Sequence, residues 1–136
     1  MTKKQIGNIA YWIALAAIVT YFAYSKGWIL ADFESITPKQ AYAMLKDDDN
    51  ITLLDVRTPD EFAQEHIEGA ILIPLQTLSE NLSQLQSVKE KKMIVYCHSG
   101  NRSVAAARIL VRNGFIPLSV KGGISEWKNE GLSVVR

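Results

Sequence analysis

The most hydrophobic part of the chain lies near its N-terminus, where residues 6–24 read IGNIAYWIALAAIVTYFAY without a charged side chain. As an α-helix, this stretch is about 28 Å long, which matches the hydrocarbon thickness of a bilayer. Aromatic side chains, which favour the membrane–water interface, lie near its ends: Tyr11, Trp12, Tyr21, Tyr24 and Trp28. The pattern predicts one transmembrane helix over residues 6–24, preceded by a basic arm over residues 1–5.

Two other interpretations of this segment are a buried helix of a soluble domain and a cleaved signal peptide. A domain of this size is too small to cover a helix that is apolar on every side. Lys3 and Lys4 resemble the basic start of a signal peptide, but Ala23-Tyr24-Ser25 is a poor cleavage site and the hydrophobic stretch is longer than usual. We therefore favour an uncleaved signal anchor. The positive arm predicts a cytoplasmic N-terminus and a domain on the extracytoplasmic (periplasmic) side of the membrane.

Beyond a linker over residues 25–34, the pattern in residues 35–136 predicts one domain in which helices and short strands alternate. Thr37–Gln40 and Thr58–Glu61 both start helices. In each, Thr is the N-cap, Pro takes the first helical position, and Gln or Glu completes a capping box. Further helices are predicted over Leu78, Leu82 and Leu85, over Ser103–Arg112, and over Gly123–Asn129.

Short apolar strands are predicted between these helices, over Ile51–Val56, Ala70–Ile73, Met93–Tyr96 and Leu118–Val120. Two parallel neighbouring strands need a connection that returns the chain to the same end of the sheet, and a helix is long enough for this. Strands that alternate with helices are therefore expected to pair in parallel. The expected fold class is therefore α/β, a parallel sheet flanked by helices and preceded by one transmembrane helix. Functional side chains are expected at the carboxyl ends of the strands.

Composition narrows the classes of function. The 136 residues include 15 Lys and Arg against 14 Asp and Glu, so the net charge gives no basis for nucleic-acid binding. The single cysteine, Cys97, excludes a disulfide within the chain and a cysteine-rich metal site. No metal and no organic cofactor is predicted.

Cys97 directly follows the predicted strand Met93–Tyr96 and precedes the polar residues HSGNRS, where the strongest predicted helix begins. A loop of this kind directs backbone N–H groups at the sulfur, and the positive end of the helix dipole adds to their effect, which favours the thiolate. Gly100 permits a tight turn, and Ser99 and Ser103 offer hydroxyl donors. Although a lone cysteine is usually a small buried hydrophobe, these polar neighbours favour a functional thiol.

Four motifs in order make the domain recognisable. They are DVRTPDEF over residues 55–62, HIEGA and IP within residues 66–74, YCHSGNRS over residues 96–103, and GGISEW over residues 122–127. Together they resemble the single-domain rhodanese family of sulfurtransferases, and the resemblance covers residues 35–136. It implies a rhodanese-like fold, with helices on both faces of a parallel sheet, and transfer of sulfane sulfur through a cysteine persulfide.

The resemblance also implies roles for residues of the third motif. Cys97 would be the nucleophile and the persulfide carrier, and Arg102 would help to hold an anionic donor such as thiosulfate. The backbone amides that would surround the bound sulfur belong to His98, Ser99, Gly100, Asn101, Arg102 and Ser103.

Asp55, Arg57 and Glu61 match the charged positions of the first motif and are expected to support the loop and the neighbouring helix. The spacing of Arg57 and Glu61 predicts an ion pair between them, with Arg57 facing the substrate as the alternative. His66 is interpreted as a structural hydrogen-bonding residue rather than a catalytic base. Turn and packing roles near the site are expected for Gly122, Gly123 and Trp127.

The expected function is a sulfurtransferase that moves sulfane sulfur from a small-molecule donor to cyanide or a thiol, with a protein thiol as a further acceptor. A membrane-tethered binding or sensing module with the same fold is the alternative. A phosphatase or an arsenate reductase is less favoured, because their loops usually follow Cys-x5-Arg. The spacing from Cys97 to Arg102 is one residue shorter, which suits a single sulfur atom better than a tetrahedral anion.

One position departs from the family pattern. Close relatives often carry Arg or Lys directly after the nucleophile, whereas this chain has His98. An imidazole that is mostly neutral at pH 7 makes the entrance to the site less positive. We therefore expect weaker use of the thiosulfate dianion than in those relatives.

Overall fold

The computed structural model describes residues 1–29 and 31–136 of the chain. The chain divides into two units, Met1–Ala31 and Asp32–Arg136, and the boundary falls inside the linker predicted over residues 25–34. The second unit contains the sheet and all four motifs of the predicted site.

The first unit is built on helix α1, Lys3–Ser25. Its N-cap is Thr2, whose side chain accepts a hydrogen bond from the Gln5 amide at 3.2 Å. α1 therefore includes part of the predicted basic arm. The helix is long and apolar enough to cross a membrane, and a signal sequence would have the same properties.

The second unit is a five-stranded parallel sheet with the strand order β1-β5-β4-β2-β3. The α/β fold class expected from the sequence is confirmed. The strands are β1 Glu34–Ile36, β2 Thr52–Asp55, β3 Ile71–Leu72, β4 Lys92–Tyr96 and β5 Ile116–Val120. The helices are α2 Pro38–Asp47, α3 Pro59–Gln64, α4 Asn101–Arg112 and α5 Gly123–Asn129, with two 3₁₀ helices over Leu75–Glu80 and Leu82–Val88.

Two capping boxes start α2 and α3 at the predicted residues. The Thr37 side chain accepts a hydrogen bond from the Gln40 amide at 3.2 Å, and the Gln40 side chain accepts one from the Thr37 amide at 2.9 Å. Thr58 and Glu61 form the same reciprocal pair at 3.3 Å each. These bonds satisfy amide groups that a helix leaves unpaired at its N-terminus, which fixes where each helix begins.

The sheet has a hydrophobic core on each face, and strand β4 contributes to both. Met93, Val95 and Cys97 lie in one buried cluster with residues of α4 and the 3₁₀ segment. Ile94 and Tyr96 lie in the other, with residues of α2 and α5. Because alternate side chains of a strand point to opposite faces, Cys97 continues the alternation of β4 at its carboxyl end.

The structure differs from the predicted secondary structure in two places. The segment with Leu78, Leu82 and Leu85 forms two 3₁₀ helices instead of one α-helix, because the backbone at Asn81 leaves the helical region at φ −118°. Only Leu78 and Leu85 of the predicted apolar face are buried, so short turns are enough to bury them. The edge strand β1 was not predicted, because three residues are too few to show a periodic pattern.

Helix α5 begins against the backbone of the loop that follows β4. The Ile124 amide donates to the Cys97 carbonyl at 2.8 Å, and the Ser125 amide donates to the His98 carbonyl at 3.1 Å. Gly123 makes this approach possible: its φ is +59°, and a Cβ there would lie 2.6 Å from the His98 carbonyl oxygen and also overlap the Cys97 carbonyl oxygen. The N-terminal turn of α5 therefore holds the loop in place.

Replacing Gly123 by Ala is expected to lower the free energy of unfolding by roughly 2–4 kcal/mol, from the left-handed backbone and the overpacking together. Urea unfolding of the full chain in a mild nonionic detergent measures the effect. Gly131→Ala is the matched control, because its φ is +80° but a Cβ there meets nothing within 4 Å. Equal losses in the two variants would show that the contact with the loop is unimportant.

Candidate active site

The thiol of Cys97 lies at the carboxyl end of the central strand β4. The residue is 1% exposed, and its sulfur accepts a hydrogen bond from the Gly100 amide at 3.1 Å. Gly100 is the N-cap of α4 and has a φ of +99°, which is a conformation that glycine adopts readily. Of the six loop amides expected around the sulfur, the Gly100 amide is thus directed at it, and Cys97 is at the same time part of the hydrophobic core.

The side chains of the Cys97 loop (residues 97–103) differ in exposure. His98, Ser99 and Asn101 are exposed, whereas Ser103 is buried. The Ser103 hydroxyl lies 2.9 Å from the hydroxyl of Ser119 on β5, so it ties α4 to the sheet. The sequence suggested Ser103 as a hydroxyl donor to the sulfur, and it did not reveal this pairing because the two serines are far apart in the chain.

Arg102 forms a bidentate ion pair with Glu61 on α3. Its two terminal nitrogens donate to the two carboxylate oxygens at 2.6 and 2.8 Å, and both side chains are about one-third exposed. The hydrogen bond from Arg102, together with those from Thr58, holds the pKa of Glu61 at about 2, below its ordinary value of 4.5. Glu61 therefore stays ionised, and it also raises the pKa of Arg102.

Arg57 pairs with Asp55 and not, as predicted, with Glu61. Its side chain donates to both carboxylate oxygens of Asp55 at 2.8–3.1 Å, and the pair is almost fully buried. The spacing argument failed because α3 begins at Pro59, so Arg57 lies outside the helix. Arg57 also donates to the Glu65 carbonyl at 2.7 Å, which fixes the end of α3.

His66 makes structural contacts. Its ring stacks on Phe62 with the centroids 3.8 Å apart, and its Nδ1 donates to the Phe62 carbonyl at 2.9 Å. Its backbone pairs with Val135 near the C-terminus. His66 therefore connects α3 with the C-terminal segment.

The hydroxyl of Tyr96, the last residue of β4, accepts a hydrogen bond from the Ile67 amide at 3.1 Å. The guanidinium of Arg57 lies 5.6 Å from the centre of the Tyr96 ring. Burial raises the pKa of this phenol above its ordinary value. Tyr96 therefore remains a neutral hydroxyl that anchors the segment after α3 to the sheet.

A cleft of about 400 Å³ lies beside the Cys97 loop. Seven residues line it: Arg57, Glu61, Gln64, Glu65, His98, Arg102 and Lys128. Lys128 of α5 forms an ion pair with Glu65 at the end of α3, so the charged cleft joins elements that are far apart in sequence. Sequence analysis did not identify Gln64, Glu65 or Lys128 as part of the site, although they lie in or next to helices that flank the motifs.

The pair of Glu61 and Arg102 is expected to make stability depend on pH. Because Glu61 has its folded pKa at about 2, below 4.5, the pair stabilises the fold above pH 4.5, and this contribution disappears as the pH falls towards 2. Solvent screening of these partly exposed side chains limits the contribution to about 1 kcal/mol at neutral pH.

Urea unfolding of the full chain in mild detergent should therefore find Glu61→Gln less stable at neutral pH. The difference should shrink as the pH falls below 4.5. A difference that stays constant over this range would contradict the assigned ion pair.

Known proteins resemble this chain over the region that carries the site. A family model described as Rhodanese-like domain matches residues 37–130. A protein named Sulfurtransferase from Allochromatium vinosum is 33% identical over 105 residues, which cover 76% of this chain and 92% of that protein. Thiosulfate sulfurtransferase PspE from Escherichia coli is 36% identical over 73 residues, which cover 54% of this chain and 70% of that protein.

A solved structure gives the same result. The crystal structure of a rhodanese-related protein from Thermoplasma volcanium matches with a TM-score of 0.69 and 38% sequence identity, covering 76% of this chain and 98% of that chain. The family match spans α2 to α5 and includes the Cys97 loop. From its sequence, its sheet and these relatives, the chain belongs to the rhodanese-like family, which includes sulfurtransferases.

Proposed function

We propose that the chain is a sulfurtransferase that carries sulfane sulfur as a persulfide on Cys97. The observation that supports this best is the hydrogen bond that the Gly100 amide donates to the Cys97 sulfur at 3.1 Å. An amide directed at the sulfur stabilises negative charge on it, which both a nucleophilic thiolate and a persulfide anion require. The relatives named as sulfurtransferases support the same class of reaction.

In the first half-reaction, the Cys97 thiolate attacks the outer sulfur of a donor. With thiosulfate, a bond forms between the Cys97 sulfur and the outer sulfur, and the sulfur–sulfur bond of the donor breaks. Sulfite leaves with the electron pair of that bond. The product is a deprotonated persulfide on Cys97, so atoms and charge balance without a cofactor.

In the second half-reaction, cyanide or a thiolate attacks the outer sulfur of the persulfide. Thiocyanate or a new persulfide leaves, and the electron pair of the broken bond returns to the Cys97 thiolate. Because Cys97 is the only cysteine, the chain has no second thiol that could attack the persulfide. The acceptor is therefore external, either a small molecule or a protein thiol.

The loop geometry supports sulfur transfer over phosphate chemistry. Arg102 is paired with Glu61, and the loop between Cys97 and Arg102 contains four residues. A phosphate or arsenate needs several donors around a tetrahedral anion, whereas a single sulfur atom needs fewer.

The decisive measurement is the intact mass of the chain after incubation with thiosulfate. We expect a gain of one sulfur atom that is lost on addition of cyanide, with formation of thiocyanate. Cys97→Ser should show no gain, because a hydroxyl is not an effective nucleophile towards sulfane sulfur. If the unchanged chain gains no sulfur from any sulfane donor, the domain is a binding or sensing module instead.

We propose further that α1 anchors the chain in a membrane as a single-pass helix, with the rhodanese-like domain on the extracytoplasmic side. Its length, its apolar composition and the basic residues Lys3 and Lys4 support this placement.

Alkaline phosphatase, which is active only outside the cytoplasm, tests the topology when it is fused after Arg136. We expect activity in intact cells, and retention of the fusion in membranes washed with alkaline carbonate. A fusion before Met1 is the control and should be inactive. Release of an active, shortened fusion protein would show a cleaved signal peptide, and an inactive fusion would show the opposite topology.

A further inference from the structure

Every cation in the charged cleft has a carboxylate partner. Arg57 is bound by Asp55, Arg102 by Glu61 and Lys128 by Glu65. Of these, Arg102 belongs to the Cys97 loop itself. An arginine that a carboxylate already neutralises attracts a small anion far less than a free arginine does, because the two charges nearly cancel at a distance.

Glu61 is held firmly in this position. Besides its two bonds to Arg102, its carboxylate accepts hydrogen bonds from the Thr58 amide at 3.3 Å and from the Thr58 hydroxyl at 3.1 Å. A donor that is to bind Arg102 through both nitrogens must displace Glu61. It must therefore compete with a carboxylate that is already oriented.

Helix capping alone does not require a carboxylate at this position. Of the capping boxes described at α1, α2 and α3, the first two use Gln5 and Gln40, which accept the same bond from the N-cap amide at 2.9 Å. Only α3, whose N-terminus faces the Cys97 loop, uses Glu. Capping therefore does not explain why residue 61 is charged. The negative charge of Glu61 acts on Arg102, with which it forms the ion pair.

We infer that Glu61 is a specificity-determining residue. It neutralises Arg102 and thereby lowers the affinity of the cleft for small inorganic dianions. The sulfur compounds favoured by such a cleft have low net charge, as organic persulfides and thiosulfonates do. This inference rests on the proposed sulfur transfer at Cys97 and names the class of donor for that site.

The test is single-turnover formation of the Cys97 persulfide by the full chain in detergent, at increasing donor concentration. The donors are thiosulfate, a dianion, and methanethiosulfonate, a monoanion that transfers the same sulfur and releases a sulfinate. Glu61→Gln should lower the half-saturating concentration about tenfold for thiosulfate and about threefold for methanethiosulfonate, because electrostatic energy is proportional to the charge of the donor. The effect should be larger on this concentration than on the maximal rate.

Glu90→Gln is the matched control. It removes the same charge from an exposed residue. Glu90 precedes the amino end of β4, whereas Cys97 follows the carboxyl end of that strand. We expect it to change neither half-saturating concentration. An equal change in both variants would show that net charge alone is responsible and would overturn the inference.

His98→Arg gives a second and independent change of charge in the cleft, and we expect it to lower the half-saturating concentration of thiosulfate as well. If His98→Arg has this effect and Glu61→Gln does not, the neutralisation of Arg102 by Glu61 is not a determinant, and only the inference fails. If neither variant changes the half-saturating concentration of thiosulfate, the charges of the cleft do not affect donor binding, and the inference also fails. If the unchanged chain forms no persulfide with either donor, the proposed function fails together with the inference.

Discussion

The site depends on the close contact between the N-terminus of α5 and the backbone of the Cys97 loop. Hydrogen bonds from Ile124 and Ser125 hold the carbonyls of Cys97 and His98, so the loop carbonyls point towards α5. The Gly100 amide, at the start of α4, is directed at the sulfur. Two helices thus constrain a turn of a few residues. The N–H group that donates to the Cys97 sulfur is therefore in place before any sulfur compound binds.

The two arginines near the site perform different tasks because they differ in burial. The pair of Asp55 and Arg57 is almost fully buried, and removing one partner of such a pair typically costs about 3–5 kcal/mol, since the other charge is left unpaired. That pair is a fixed part of the fold. The pair of Glu61 and Arg102 is partly exposed, so its contribution to stability is smaller and its charges remain accessible to solutes.

The starts of helices were predictable from the sequence, whereas the partners of the charged side chains were not, even for Arg57, whose partner Asp55 is two residues away. The capping boxes at Thr37 and Thr58 involve residues three positions apart, so their motifs predict where helices begin. The position of Cys97 at a strand end followed from the alternation of elements. By contrast, the partner of Arg102 and the lining of the charged cleft depend on how α3 and α5 pack beside the loop. This packing brings together residues that are far apart in the chain, so no short motif in the sequence predicts it.

The burial of Cys97 is a direct consequence of its place in the alternation of β4, and it constrains the chemistry. Because the Cys97 residue is 1% exposed, a reacting centre with bulky substituents has little access to its sulfur. A terminal sulfur atom is small and projects from its donor, whereas the carbonyl or phosphorus centre of an ester is surrounded by substituents. Burial also removes water from around the sulfur, so the hydrogen bond from Gly100 has a greater share in stabilising its negative charge. The same core position that makes Cys97 a packing residue therefore favours sulfur transfer over attack on larger centres.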